Sequence, residues 1–119
     1  MMIKNILILG ATGQIGKELS LEFKNSENLN IISHCRTLVS ASFFNEKKIE
    51  YTVGKLEDKN MISKISDSDL IFDLSAPDHG SLKEIKYFYK KRFEFIFSHM
   101  KKNSKFVFAS TMNAFGLNN

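Results

Sequence analysis

The feature that most constrains the fold is the segment Gly10-Ala11-Thr12-Gly13-Gln14-Ile15-Gly16. It follows the apolar run Ile6-Leu7-Ile8-Leu9 and opens a stretch with helical periodicity. Each glycine has a separate physical use in a strand–turn–helix unit. Gly10 permits the tight turn that leaves the strand. Gly13 lets a ligand phosphate approach the backbone, and Gly16 lets the helix pack closely on the sheet. The unpaired N–H groups at the helix start, reinforced by the helix dipole, then face an anion. Three glycines at this spacing in this context predict a pyrophosphate cradle, with Thr12, Gln14 and Ile15 completing the turn.

The rest of the chain continues the alternation of apolar runs and helical stretches that predicts βαβ units and a parallel sheet. Met2–Leu9 reads as a first strand, apolar on both faces as buried parallel strands are. Gln14–Lys24 reads as a helix with Ile15, Leu19 and Phe23 on one face. Leu29–Cys35 is a second strand, and 37–48 a weaker helix or loop anchored by Phe43 and Phe44. Ile49–Val53 is a short third strand, and Asp58–Ile65 a helix with Asp58 as cap or ligand. Asp69–Leu74 is a fourth strand. Ser81–Lys102 is the longest helix, opened by the capping-box pair Ser81 and Glu84. Lys105–Ala109 is a fifth strand. Right-handed crossovers wind these units into an α/β sheet of order 3-2-1-4-5 with helices on both faces. A ligand then sits beyond the carboxyl ends of the strands, where the turn after strand one meets the ends of strands four and five.

Composition narrows the classes. With 119 residues the chain has one domain's length, and 43% hydrophobic with 25% charged residues fits a globular protein rather than a disordered one. The single cysteine, Cys35, permits no internal disulfide, so a cytoplasmic setting is expected. Cysteine and the three histidines show no metal-ligand spacing, so no metal is expected. The apolar start ends in glycines without a cleavage site, and no run reaches the ~20 apolar residues of a membrane span. The net charge of +4 comes from scattered lysines, densest at Lys90-Lys91-Arg92 and Lys101-Lys102. These read as a solvated helix face, and without a recognition motif no nucleic-acid partner is expected.

Three landmarks in order resemble one family. The spacing Gly10-x-x-Gly13-x-x-Gly16 is similar to that of the extended short-chain dehydrogenases/reductases, the NAD-dependent epimerase/dehydratase family. Asp69-Leu-Ile-Phe-Asp-Leu-Ser-Ala76 resembles its fourth strand and "His-Leu-Ala-Ala" end. Lys105-Phe-Val-Phe-Ala-Ser-Thr-Met-Asn-Ala-Phe-Gly116 resembles its fifth strand and the following "Ser-Ser/Thr-x-x-Val-Tyr-Gly". The resemblance covers essentially the whole chain. It implies a Rossmann domain over residues 1–119 that binds NAD(P), with Leu74, Ser75, Ala76 and Ser110 beside the cofactor. It also implies hydride transfer at a hydroxyl or carbonyl group of a nucleotide-sugar or similar substrate. Thr111 matches the hydroxyl that bonds the substrate's reacting oxygen, and Phe115 stands where the family often has Tyr.

Two departures bear on cofactor choice. The end of strand two reads Ser33-His34-Cys35-Arg36, with no carboxylate for a ribose 2′-hydroxyl. Arg36 suits a 2′-phosphate or the adenine face, which favours NADP(H) slightly. Gly54-Lys-Leu-Glu-Asp58 resembles the family's "Gly-Asp-Leu-x-Asp", with Lys55 in place of the first Asp, which helps hold adenine; Asp58 matches the second.

The family's Tyr-x-x-x-Lys acid/base pair is expected after Gly116, so the chain reads as cut short after strand five, with the substrate region absent. The match Tyr87-Phe-Tyr-Lys-Lys91 precedes strand five and is read as helix surface and core. The long helix carries Leu82, Ile85, Tyr89, Phe93, Ile96 and Met100 on one stripe and Phe88 and Phe95 on a second. Together with the family's use of this helix, the second stripe predicts a homodimer contact through 81–102 or a seat for a missing segment. The alternative to an enzyme is a truncated, catalytically inactive cofactor-binding module or sensor.

Overall fold

The computed structural model describes residues 2–77 and 80–109. Five strands form one parallel sheet: β1 (Asn5–Leu9), β2 (Asn30–Cys35), β3 (Tyr51–Val53), β4 (Leu70–Asp73) and β5 (Lys105–Phe108), in the order β3-β2-β1-β4-β5. Four helices connect them: α1 (Gln14–Lys24), α2 (Ser42–Glu46), α3 (Lys59–Asp67) and α4 (Leu82–His99). The expected strand order is therefore observed.

Alternation along β1 divides the core. Ile6 and Ile8 pack with Leu19, Phe23 and Phe44 of α1 and α2, whereas Leu7 and Leu9 pack with Met61, Ile65 and Ile96 of α3 and α4. The central strand is thus buried on both faces, as its unbroken apolar run requires.

Several boundaries move for local reasons. The third strand starts at Tyr51 because the Ile49 N–H donates to Phe44 O at 2.8 Å and Lys48 takes φ 60°, turning the chain out of α2. The long helix stops at His99, since Met100 is extended and Asn103 takes φ 72° in the turn that feeds β5. Its start is as expected: Ser81 Oγ accepts from the Glu84 N–H and Glu84 Oε1 from the Ser81 N–H.

Two helices depart in part from their expected faces, although Leu19 and Phe23 of α1 and Ile85, Tyr89 and Ile96 of α4 do turn to the core. On α1 the residues against the sheet are Gly16 and Ser20, and Ile15 is 63% exposed. Ser20 Oγ donates to Gly16 O at 2.7 Å, so Ser33 Oγ donates to Ser20 Oγ at 2.8 Å, tying helix to sheet through small residues. On α4 the proposed second stripe is not free. Phe95 packs against the cluster around Leu7 and Ile96, and Phe88 against Ile85 and Tyr89. The exposed apolar residues of α4 are Leu82, Tyr87 and Phe97. Phe97 stacks on Phe93 and meets Phe106 of the edge strand β5, whose Val107 is also exposed.

At the amino ends of the strands, the Asp69 carboxylate accepts the Lys4 and Asn5 N–H groups, each at 2.9 Å, and pairs with Lys101. The Lys101 hydrogen bond, then the two N–H donors, hold its carboxyl well below the usual carboxylate range. A depressed carboxyl stabilises the fold above its unfolded pKa, about 3.9, and loses that contribution as pH falls towards its folded value. Urea unfolding of Asp69→Asn should therefore show a deficit at neutral pH that closes as pH drops below about 4. A gap unchanged between pH 7 and pH 3 would refute this role.

Candidate functional site

The carboxyl ends of β1, β2 and β4 open into a cavity of about 1330 Å³. Gly10, Thr12 and Gly13 line it from the first turn, His34, Cys35 and Arg36 from β2, and Lys55, Leu56 and Glu57 from the turn after β3. Leu74, Ser75 and Ala76 line it from β4. This is larger than the roughly 300–1,000 Å³ of most small-molecule sites. The topology thus brings the first turn and the end of β4 together as the sheet order predicted, with the ends of β2 and β3 beside them, whereas no described residue of β5 lines the cavity.

The three glycines separate by geometry. Gly10 has φ 69°, and a Cβ there would lie 2.5 Å from Ser75 Oγ. A Cβ on Gly16 would lie 2.6 Å from the Ala11 Cα. Both are demanded by the fold. A Cβ on Gly13 would meet nothing within 4 Å, and the Gly13 φ of −73° suits any residue. Gly13 is the N-cap of α1, which has no side-chain cap and no acidic residue in its first turn. An open N-terminus beside an empty Cβ position is a cradle that an anion would fill.

The other sequence-predicted residues fall in different places. Gln14 and Ile15 are exposed at the start of α1, outside the cavity lining, and Gly16 is buried beneath it. Arg36 is exposed on the cavity wall and, among the described residues, forms no ion pair. Asp58 is the N-cap of α3 by position, yet its carboxylate does not cap that helix. It turns back to accept the Lys55 N–H at 3.0 Å, bracing Gly54 at φ 136°. Ser110 and Thr111 lie outside the described residues, as do Phe115 and Gly116.

His34 is buried, and its Nε2–H donates to Gly54 O at 2.8 Å, the tautomer that this carbonyl requires. Burial lowers its pKa, outweighing the opposing pull of the Gly54 carbonyl, so the ring is neutral. Burial pushes the Cys35 thiol up to about 11, which leaves it an inert wall group at neutral pH.

Sequence reasoning missed the site's strongest interaction. Asp73, at the end of β4, is fully buried, and Arg92 of α4 grips it with Nε at 3.1 Å and Nη2 at 2.9 Å. Arg92 Nη2 also donates to Ser75 Oγ at 2.9 Å, and the Ser75 N–H donates to Asp73 Oδ1 at 3.2 Å. The guanidinium lies 5.3 Å over the Phe88 ring. The network holds the crest of β4 against Gly10. A charge inside an otherwise apolar strand was the available signal; nothing in the sequence pointed to its partner nineteen positions on.

The helix face expected to be merely solvated also borders the cavity, through Lys83, Lys86, Lys90 and Lys91. Tyr87 and Lys91 stand on this wall as well, with the ammonium 5.5 Å over the Tyr87 ring. Among the described residues no cluster of side chains suits a metal ion, and no helix is long and apolar enough to cross a membrane.

Comparison with known proteins gives a consistent picture. The family model described as "NAD dependent epimerase/dehydratase family" matches residues 6–119. No curated protein sequence matches the chain. Among solved structures, a short-chain dehydrogenase/reductase (wide type) from Veillonella parvula, in complex with NADP, superposes with a TM-score of 0.59 at 17% identity, over 92% of this chain and 48% of its own. Gre2 from Candida albicans, in complex with NADPH, gives 0.63 at 18% identity, over 92% of this chain and 37% of its own. A short-chain dehydrogenase/reductase superfamily protein from Agrobacterium tumefaciens, with bound NAD, gives 0.61 at 17% identity, over 91% and 33%. At these identities the likeness establishes the fold, and the chain spans less than half the length of each of these three proteins.

Proposed function

Since the chain belongs to the NAD-dependent epimerase/dehydratase family, we propose that residues 1–119 form the dinucleotide-binding part of an NAD(P)-dependent oxidoreductase-type protein. The observation that carries this reading is Gly13, whose missing Cβ leaves open space at an uncapped helix N-terminus. A pyrophosphate there takes the free N–H groups of α1, and the adenosine half extends towards Arg36 and Lys55. The NADP, NAD and NADPH bound to the three solved relatives support a nicotinamide dinucleotide. Arg36, at the place where a carboxylate would select NAD, favours NADP(H).

The chemistry the cofactor supplies when bound is hydride transfer at a hydroxyl or carbonyl carbon. In this reading Ser110 contacts the cofactor and Thr111 bonds the reacting oxygen, on a nucleotide-sugar or a similar substrate. Pairing of two copies through α4 belongs to the same reading, with Phe97 rather than Phe88 or Phe95 as its exposed apolar contact. The reading places the protein in the cytoplasm.

The test is titration of the chain with NADPH and NADH, followed by nicotinamide fluorescence, for the wild type and Gly13→Val. The wild type should bind. Gly13→Val should melt within a few degrees of it, because a Cβ there meets no protein atom within 4 Å, and should lose at least tenfold in affinity because the side chain occupies the phosphate position. Equal affinity in the two proteins would sink the cradle.

A further inference from the structure

Resting on the dinucleotide reading, we propose that Lys83, Lys86 and Lys90 of α4 form a phosphate-recognition rail. It lines the same cavity as Arg36 and Lys55 and reads the extra phosphate on the adenosine ribose. The spacing i, i+3, i+7 sets the three ammonium groups along one side of the helix, and all three residues line the cavity.

Stability does not explain this arrangement. Like charges three and four residues apart on a helix repel. Lys83 lies in the first turn of α4, where the helix dipole disfavours a cation. Neither of the structure's two ion pairs among the described residues involves Lys83, Lys86 or Lys90. Of the two carboxylates on the cavity wall, Glu84 is engaged in the capping box and Glu57 is exposed. Among the described residues of the wall, cationic groups therefore outnumber carboxylates. Arg92, the cavity cation that has a carboxylate partner, is neutralised by Asp73.

The ligand chemistry follows from this imbalance. The pyrophosphate is provided for by the α1 N-terminus. Arg36, Lys55 and the rail line the same cavity, where a further dianionic group would be shared among their cations. A ribose phosphate meets that description, and an unphosphorylated ribose does not. Because the lysines are solvent-exposed, their attraction is additive, long-range and salt-sensitive rather than a single tight contact.

The experiment compares the wild type with Lys83→Gln/Lys86→Gln/Lys90→Gln at low and high salt, measuring NADPH and NADH by fluorescence and adenosine 2′,5′-bisphosphate and 5′-AMP by calorimetry. The triple variant should fold at least as stably as the wild type. It should lose about tenfold in affinity for NADPH and for the bisphosphate, with no more than a twofold change for NADH and 5′-AMP. The NADPH loss should shrink at high salt. Equal losses for phosphorylated and unphosphorylated ligands, or no loss, would overturn the rail while leaving the dinucleotide reading intact. Rail-dependent binding of the bisphosphate without binding of either dinucleotide would support the rail and overturn that reading. Failure of the wild type to bind all four would overturn both.

Discussion

Arg92→Met should cost about 3–5 kcal/mol of folding stability, because it strands the buried Asp73 carboxylate without its cation. Asp73 is 0% exposed, and the Arg92 side chain only 11%. Without Arg92 the carboxylate keeps only the Ser75 N–H among the hydrogen bonds described for it. Ser75 Oγ loses a charged donor in the same step, and Phe88 loses the guanidinium above its ring. The loss does not mean that the pair itself contributes that much, since taking both charges out of water offsets most of their attraction. Asp73→Asn/Arg92→Met, which removes both charges, should therefore recover most of the deficit. Arg92→Lys should recover little, because a point charge cannot serve two carboxylate oxygens and a hydroxyl in one plane. Urea denaturation of the four proteins measures this, and an unfolding free energy for Arg92→Met within about 1 kcal/mol of wild type would contradict it.

A comparably large effect is expected at the glycine turn. Gly10→Val places a β-branched side chain at φ 69° and drives its Cβ to 2.5 Å from Ser75 Oγ and 2.6 Å from the Ser75 N. Left-handed backbone costs a bulky residue about 1–3 kcal/mol, and overpacking adds about 1–3 kcal/mol. Their sum is a large share of the roughly 5–15 kcal/mol that holds an ordinary domain. Gly16→Val meets backbone rather than a movable side chain, at 2.6 Å from both Ala11 Cα and Ala11 O. That clash yields only if α1 moves off the sheet and breaks the Ser20–Ser33 link. Both variants should lose the cooperative thermal transition seen by circular dichroism, whereas Gly13→Val keeps it. Melting of either within a few degrees of wild type would show that the turn has slack the structure does not reveal.

The contrast among the three glycines shows what each level of description could supply. Their spacing predicted the turn, but which glycine the fold demands and which it leaves open depends on what stands opposite each Cβ. For Gly10 that is Ser75, sixty-five residues away, and for Gly13 it is empty space. Asp58 is similar: its place at a helix start was legible, but its carboxylate answers Lys55 because Gly54 bends the chain back towards it. Ile15 looked like a core residue by periodicity. It points outward because Gly16 and Ser20, the smallest residues of α1, bring the helix closest to the sheet.

By itself the sequence determined the elements, the parallel sheet, its order 3-2-1-4-5 and the end of the sheet where the cavity opens. Those follow from local periodicity, turn chemistry and the handedness of crossovers, all written in neighbouring residues. Only the tertiary structure decided that Arg92 reaches Asp73 and that the lysines of α4 border the cavity rather than bulk solvent. Both depend on the rotation of α4 about its axis, which is set when Ile85, Tyr89 and Ile96 are buried. That stripe was legible from helical periodicity, but which strands it packs on, and so what Arg92 and the lysines beside it meet, is set by distant parts of the chain.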